Sequence, residues 1–226
     1  METTHQDAEK LAAAKAAVKF VKDGDIVGLG TGSTATFAIQ ELGIMVKNGL
    51  KIKAAASSFH TEKLAKSLGI EILPLGELSS IDISIDGADE FTESLDLIKG
   101  GGGALFREKI MASLSKNSII VTDASKKVKK LGAFKVPVEV VPQAYQYVFN
   151  QILIMGGKAV QRIKDNEVFI TDNGNFIIDA DFGLIDDPAK LASALNQVDG
   201  LLAHGIFINL TSKVMMSTGD QIMVFE

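Results

Sequence analysis

Apolar positions along the chain fall into two rhythms, short β-rich runs and longer stretches with a helical period, and their alternation predicts an α/β fold. Leu11, Ala14, Val18 and Val21 recur at helical spacing, with Asp7 placed to cap that helix and Lys22-Asp23-Gly24 to end it. The run Ile26-Val27-Gly28-Leu29-Gly30 predicts a strand, and Thr31-Gly32-Ser33-Thr34 opens an amphipathic helix carrying Phe37, Ile39 and Leu42. A strand, a helix and a short strand follow at 52–56, 61–68 and 70–73. Strands at 81–85 and 118–122 flank a helix over about 104–116, introduced by four successive glycines. Such alternation implies a doubly wound, mostly parallel, Rossmann-like sheet.

After Lys130 the order changes. Strands at 136–141, 160–163, 176–180 and 201–208 and helices at 144–155 and 188–198 read β-α-β-β-α-β, a split βαβ or ferredoxin-like module. Asp172-Asn173-Gly174, between the runs 168–170 and 176–178, is a turn signal for an added hairpin. Segments near 206–210, 213–216 and 221–225 are placed to return to the first domain. The predicted organisation is therefore a Rossmann-like catalytic domain, 1–130 and 208–226, and a small α+β domain, 131–207.

Composition narrows the chemistry. A 226-residue chain with 46% hydrophobic and 23% charged residues buries a core without external staples. The net charge of −5 opposes non-specific attraction to nucleic acid or anionic lipid. There is no Cys, and His5, His60 and His204 are not at zinc-ligand spacing, so no metal is expected. The first twenty residues lack an apolar signal core and no apolar run reaches membrane-spanning length, so the expected location is cytoplasmic.

Four local patterns carry candidate chemistry. The turn Gly28 to Thr34 offers unobstructed amides and hydroxyls at a helix N-terminus, which suits a phosphate; an unliganded glycine turn is the plain alternative. A dinucleotide or S-adenosylmethionine site would want a carboxylate after the second strand, where Ala54-Ala55-Ala56-Ser57-Ser58 stands instead. Asp86-Gly87-Ala88-Asp89 falls at a strand's C-terminal end, where α/β sheets bind ligands, although alone it suits a turn or cap equally. Lys99 precedes Gly100, Gly101, Gly102 and Gly103, so a cation adjoins amides able to meet an oxyanion. In Arg107-Glu108-Lys109, helical phase projects Glu108 among Ala104, Leu105, Met111 and Ala112 and turns Lys109 away. A carboxylate in such surroundings is expected to have its pKa raised towards the range of a general base.

Together, GTGSTA, DGADE, KGGGGAL followed by REKI, TDASK, PVEVVP and TDNGN resemble type A ribose-5-phosphate isomerase over nearly the whole chain. The resemblance implies interconversion of D-ribose 5-phosphate and D-ribulose 5-phosphate through a cis-enediolate, in the non-oxidative pentose phosphate pathway, without metal or organic cofactor. It implies a homodimer or homotetramer. It carries substrate binding to Thr31, Gly32, Ser33, Thr34, Asp86, Gly87, Ala88, Asp89, Lys99, Gly100, Gly101, Gly102 and Lys126. Glu108 matches the proton acceptor, with Asp86, Asp89 and Lys99 assisting catalysis. An amino-sugar-phosphate isomerase or deaminase, and a non-catalytic sugar-phosphate sensor, are the rival readings. The role of Lys10, His60 and Gly103 stays open.

Overall fold

In the computed structural model, residues 5–219 and 221–226 are described. Along the chain run α1 (His5–Ala17), β1 (Ile26–Leu29), α2 (Ser33–Lys47), β2 (Lys53–Ala56), α3 (Phe59–Ser67), β3 (Glu71–Ile72) and β4 (Ile81–Asp86). Next come β5 (Glu90–Phe91), β6 (Leu97–Ile98), α4 (Leu105–Leu114), β7 (Ser115–Asp123), β8 (Val136–Val140), α5 (Tyr145–Ile154), β9 (Lys158–Gln161), β10 (Ile163–Lys164) and β11 (Glu167–Val168). The last are β12 (Phe176–Asp181), α6 (Pro188–Leu195), β13 (Leu201–His204), β14 (Ile206–Phe207), β15 (Lys213–Thr218) and β16 (Gln221–Phe225).

The chain divides into two compact units. The first comprises the described residues up to Ala88 with Ile110–Lys126 and Asn209–Glu226. It holds a seven-stranded sheet in the order β16-β15-β7-β4-β1-β2-β3, parallel except for the edge strand β16. Strand order reverses beside β1, so the carboxyl ends of β1 and β4 flank a topological switch point. Alternating side chains explain the layers: Val27, Leu29, Ile83 and Ile85 meet apolar residues of α1, α2 and α3. Ala55 and Ile81 meet Met111 and Leu114 of α4 on the other face.

The second unit comprises Asp89–Lys109 and Lys127–Ile208. Its four-stranded antiparallel sheet runs β13-β8-β12-β9, the order a β-α-β-β-α-β chain produces. Val136, Val138, Val140, Ile178 and Ala180 pack with Val148 and Ile152 of α5 and Ala192 and Leu195 of α6. Ile177 turns to the opposite face and meets Leu105, Phe106, Phe169 and Ala203. A separate three-stranded sheet runs β14-β6-β5.

Several boundaries depart from the sequence reading. Helix α1 already includes His5, so Asp7 lies within its first turn rather than capping it. Residues 89–109 group with the second unit, because the two-residue strands β5 and β6 pair with β14. Strands that short carry no readable period. The expected strand 201–208 is broken at Gly205 into β13 and β14, which join different sheets. The Asp172-Asn173-Gly174 turn forms, but only the bridge Ile170↔Phe176 closes across it. The hairpin proper is β10–β11, turning through Asp165 and Asn166 at φ 53° and 66°.

Candidate active site

In the first unit, α2 starts after Gly32, and no side chain caps its first turn. The opening amides of a helix have no intrahelical acceptor, so this turn presents donors to an anion. Gly32 and Ser33 are exposed there, with Thr31 and Thr34 half-buried. The Thr31 hydroxyl is held among Ser57 Oγ (2.7 Å), Ser58 Oγ (2.8 Å) and Thr61 Oγ1 (3.2 Å). Thr61 in turn donates to the Gly30 carbonyl at 2.8 Å, and Ser58 caps α3 by accepting the Thr61 N–H. Sequence pattern alone gives these three hydroxyls no role. They became legible only once β1 and β2 were paired in register. His60 is exposed in the first turn of α3.

Asp86 ends β4 next to β1 and is buried. Its Oδ1 accepts the Thr31 N–H at 3.2 Å and the Gly87 N–H at 2.7 Å. Gly30 makes this possible, because a Cβ there would overlap the Asp86 carboxyl group. The switch-point geometry thus joins Thr31 to Asp86 across 55 residues of sequence. Lys126, at the end of a 3₁₀ turn over Ala124–Lys126, is half-buried and, among the described residues, bonds no other candidate. Lys10 lies 3.8 Å from Asp7 on α1.

In the second unit, Asp89 Oδ2 accepts the Gly101 N–H at 2.8 Å. Lys99, directly after β6, is 3% exposed, and its Nζ lies 3.5 Å from Glu108 Oε2, which is also 3% exposed. Helical phase correctly buries Glu108 with Leu105 and Met111, but the surroundings it suggests are incomplete, because a buried cation shares them. Lys99 Nζ also stands 5.6 Å from the Phe207 ring centre. Gly103 gains a meaning as well: its φ is +84°, and a Cβ would lie 2.5 Å from Phe169 Cε1.

Lys109 turns away from Glu108, as the phase predicts, yet not into solvent. Its Nζ donates to the Ile206 carbonyl at 2.9 Å, lies 3.3 Å from His204 Nδ1, and sits 4.8 Å from the Phe207 ring centre. Burial pushes the Lys109 ammonium down to about 7. Burial first, and Lys109 second, push His204 down to about 3. His204 is a core histidine, with Nε2 3.1 Å from Asn196 Oδ1 and Nδ1 receiving the Ile206 N–H.

The turn read from Asp172-Asn173-Gly174 has a structural partner the sequence did not reveal. Fully buried Glu139 accepts from Thr171 Oγ1 (2.9 Å), Asn173 Nδ2 (3.1 Å) and Asn175 Nδ2 (2.9 Å), all on Oε1. Asn173 Oδ1 then accepts Arg107 Nε at 2.9 Å, which latches the first turn of α4 beside Glu108. Among the described residues there is no group of three or more metal-ligating side chains. No described helix is long and apolar enough to cross a membrane.

Residues 53–221 match the family model of ribose 5-phosphate isomerase A (phosphoriboisomerase A). A ribose-5-phosphate isomerase A of Sphingopyxis alaskensis is 45% identical over 217 residues, covering 96% of this chain and 95% of the relative. That of Streptococcus gordonii is 43% identical, with 98% of each chain covered. The ribose 5-phosphate isomerase A structure from Methanocaldococcus jannaschii superposes with a TM-score of 0.93 at 42% identity, covering 97% of this chain and 99% of that one. A D-ribose-5-phosphate isomerase in complex with phospho-erythronic acid superposes at 0.94 and 38% identity, covering 98% and 99%. By sequence and by fold, this chain belongs to the ribose 5-phosphate isomerase A family.

Proposed function

We propose that the protein interconverts D-ribose 5-phosphate and D-ribulose 5-phosphate, and that Glu108 shuttles the proton between C2 and C1. The observation that carries this reading is the buried carboxylate of Glu108 with a buried ammonium 3.5 Å away. A carboxylate can take the C2 proton of the open-chain aldose to give a cis-enediolate, and once the O2 hydroxyl proton has passed to O1 the same proton can be returned to C1. The adjacent cation, Lys99, counters negative charge developing on the sugar oxygens, together with amides of the glycine loop.

The Thr31–Thr34 turn binds the phosphate through backbone amides and hydroxyls, with Lys126 adding charge. Held there, a group remote from the reacting carbons contributes binding energy to the transition state. Asp86 and Asp89 bind sugar hydroxyls and assist ring opening by proton transfer. Their fixed hydrogen bonds, Asp86 to Thr31 and Gly87 and Asp89 to Gly101, hold each carboxylate in one orientation. The reading uses no metal or organic cofactor and places a homodimer or homotetramer in the cytoplasm, serving the non-oxidative pentose phosphate pathway.

The bound phospho-erythronic acid in the related structure supports a phosphorylated sugar as ligand. The test is a direct assay of purified protein, dialysed against chelator, with ribose 5-phosphate and with glucosamine 6-phosphate. Ribulose 5-phosphate formed from the first and no ketose or ammonia from the second is the expected result. Turnover of the amino sugar alone, or of neither, overturns the reading.

A further inference from the structure

The glycine loop is held from behind by a residue that the proposed chemistry does not use. Arg162 follows β9, and its side chain is mostly buried. Its guanidinium is forked: Nε donates to Asp179 Oδ2 at 3.0 Å and Nη2 to Asp179 Oδ1. The remaining nitrogen, Nη1, donates to two consecutive carbonyls, Gly100 at 2.9 Å and Gly101 at 3.1 Å. The Arg162 backbone is fixed too, with its N–H on the Ile177 carbonyl and its carbonyl receiving the Phe169 N–H.

In a trans peptide the C=O and N–H of one plane point in opposite directions, and the described chain has no cis bonds. Drawing the Gly100 carbonyl towards Arg162 therefore aims the Gly101 N–H the other way, where it meets Asp89 Oδ2 at 2.8 Å. Drawing the Gly101 carbonyl to the same nitrogen likewise turns the N–H of Gly102, an exposed residue, away from Arg162. Glycines have no side chain to bias these planes, so an external clamp must choose between the two orientations.

We propose that Arg162, oriented by Asp179, is a positioning residue that sets the direction of the Gly101 and Gly102 amides. One amide thereby fastens Asp89, and the other becomes the donor presented to the enediolate oxyanion. The inference rests on the isomerase reading for its catalytic consequence, but its structural half stands independently of it. Arg162 is unlike the loop lysine: a single ammonium could not bond Asp179 twice and still reach both carbonyls.

The test combines two readouts on Arg162→Met and Arg162→Lys, each checked by near-ultraviolet circular dichroism for a native fold. Amide hydrogen exchange of the segment 99–104 is expected to quicken at least tenfold in both variants. Turnover of ribose 5-phosphate is expected to fall roughly 100-fold in kcat with KM within about threefold, as for a misplaced catalytic group. Added guanidinium at millimolar concentration should restore part of kcat in Arg162→Met and none in Arg162→Lys. Unchanged exchange overturns the proposal whatever the activity, and faster exchange with parental kcat overturns its catalytic half. Should Arg162→Met not fold, Asp179→Asn replaces it, with the same two readouts and a smaller expected fall in kcat. If the parent protein does not turn over ribose 5-phosphate, the isomerase reading fails by itself, and the exchange result still decides the clamp.

Discussion

Replacing Lys99 by Met removes one member of a buried ion pair and leaves a carboxylate in the interior without its cation. At the observed 3.5 Å separation, two unit charges interact by ~5 kcal/mol at an effective dielectric of about 20. Breaking a buried pair by deleting one partner commonly costs about 3–5 kcal/mol. Loss of the Lys99 contact with the Phe207 ring adds about 0.5–1 kcal/mol. Unfolding in urea at pH 7 should therefore show Lys99→Met less stable than the parent by roughly 3.5–6 kcal/mol. For a chain of this size the melting temperature should fall by roughly 7–24 °C. Glu108→Gln strands the other member and should cost a comparable amount, while the double variant, which buries no charge here, should lose far less than the sum. A double-mutant cycle measures that difference directly. Additive losses, or a Lys99→Met cost below about 1 kcal/mol, would refute the idea that the two side chains are a coupled pair.

Three further perturbations probe other parts of the account. Gly30→Ala should displace Asp86 from its bonds to Thr31 and Gly87, lowering stability by about 1–3 kcal/mol and reducing turnover; parental melting and kinetics would contradict this. Gly103→Ala combines φ +84° with a clash against Phe169, so it should lose about 1–3 kcal/mol, of which Phe169→Leu in the same chain recovers only the steric part. Lys109, held at about 7 when folded against 10.5 ordinarily, binds its proton more weakly in the native state, so its charge penalises folding below pH 7. Stability from this group must rise as pH climbs from about 7 towards 10.5, by at most ~1.4 kcal/mol per unit. Urea titrations of the parent and Lys109→Met should differ by that slope, and parallel curves would show that Lys109 is not desolvated.

The parallel strands of the first unit were readable because β1, β2 and β7 give short apolar runs and β4 alternates isoleucine with polar residues, and all four lie near where those patterns predict them. The β-α-β-β-α-β order of the second unit was readable for a similar reason, since α5 and α6 keep helical period between strands. The burial of Glu108 was readable from its phase, because burial of one helical face is a local property of spacing. What stayed hidden depends on contacts between residues far apart in sequence. Arg162 reads as an ordinary surface cation until Asp179 and the glycine carbonyls surround it. Glu139 lies in an apolar strand, and only the folded chain shows that the Thr171–Asn175 turn supplies its donors. Two of the hydroxyls around Thr31, those of Ser57 and Ser58, come from a β2–α3 connection whose pattern carries no period, and Thr61 sits in the first turn of α3, where helical period says nothing of a partner following β1.

One measurement bears most directly on the central proposal: turnover of Glu108→Gln with ribose 5-phosphate in deuterated water, following both ribulose 5-phosphate and deuterium at the C1 and C2 carbons. The variant keeps the size of the side chain and removes the base, so kcat should drop by about two to four orders of magnitude, with deuterium uptake falling in step. A natively folded variant that isomerises and exchanges at close to the parental rate would show that the proton travels by another group.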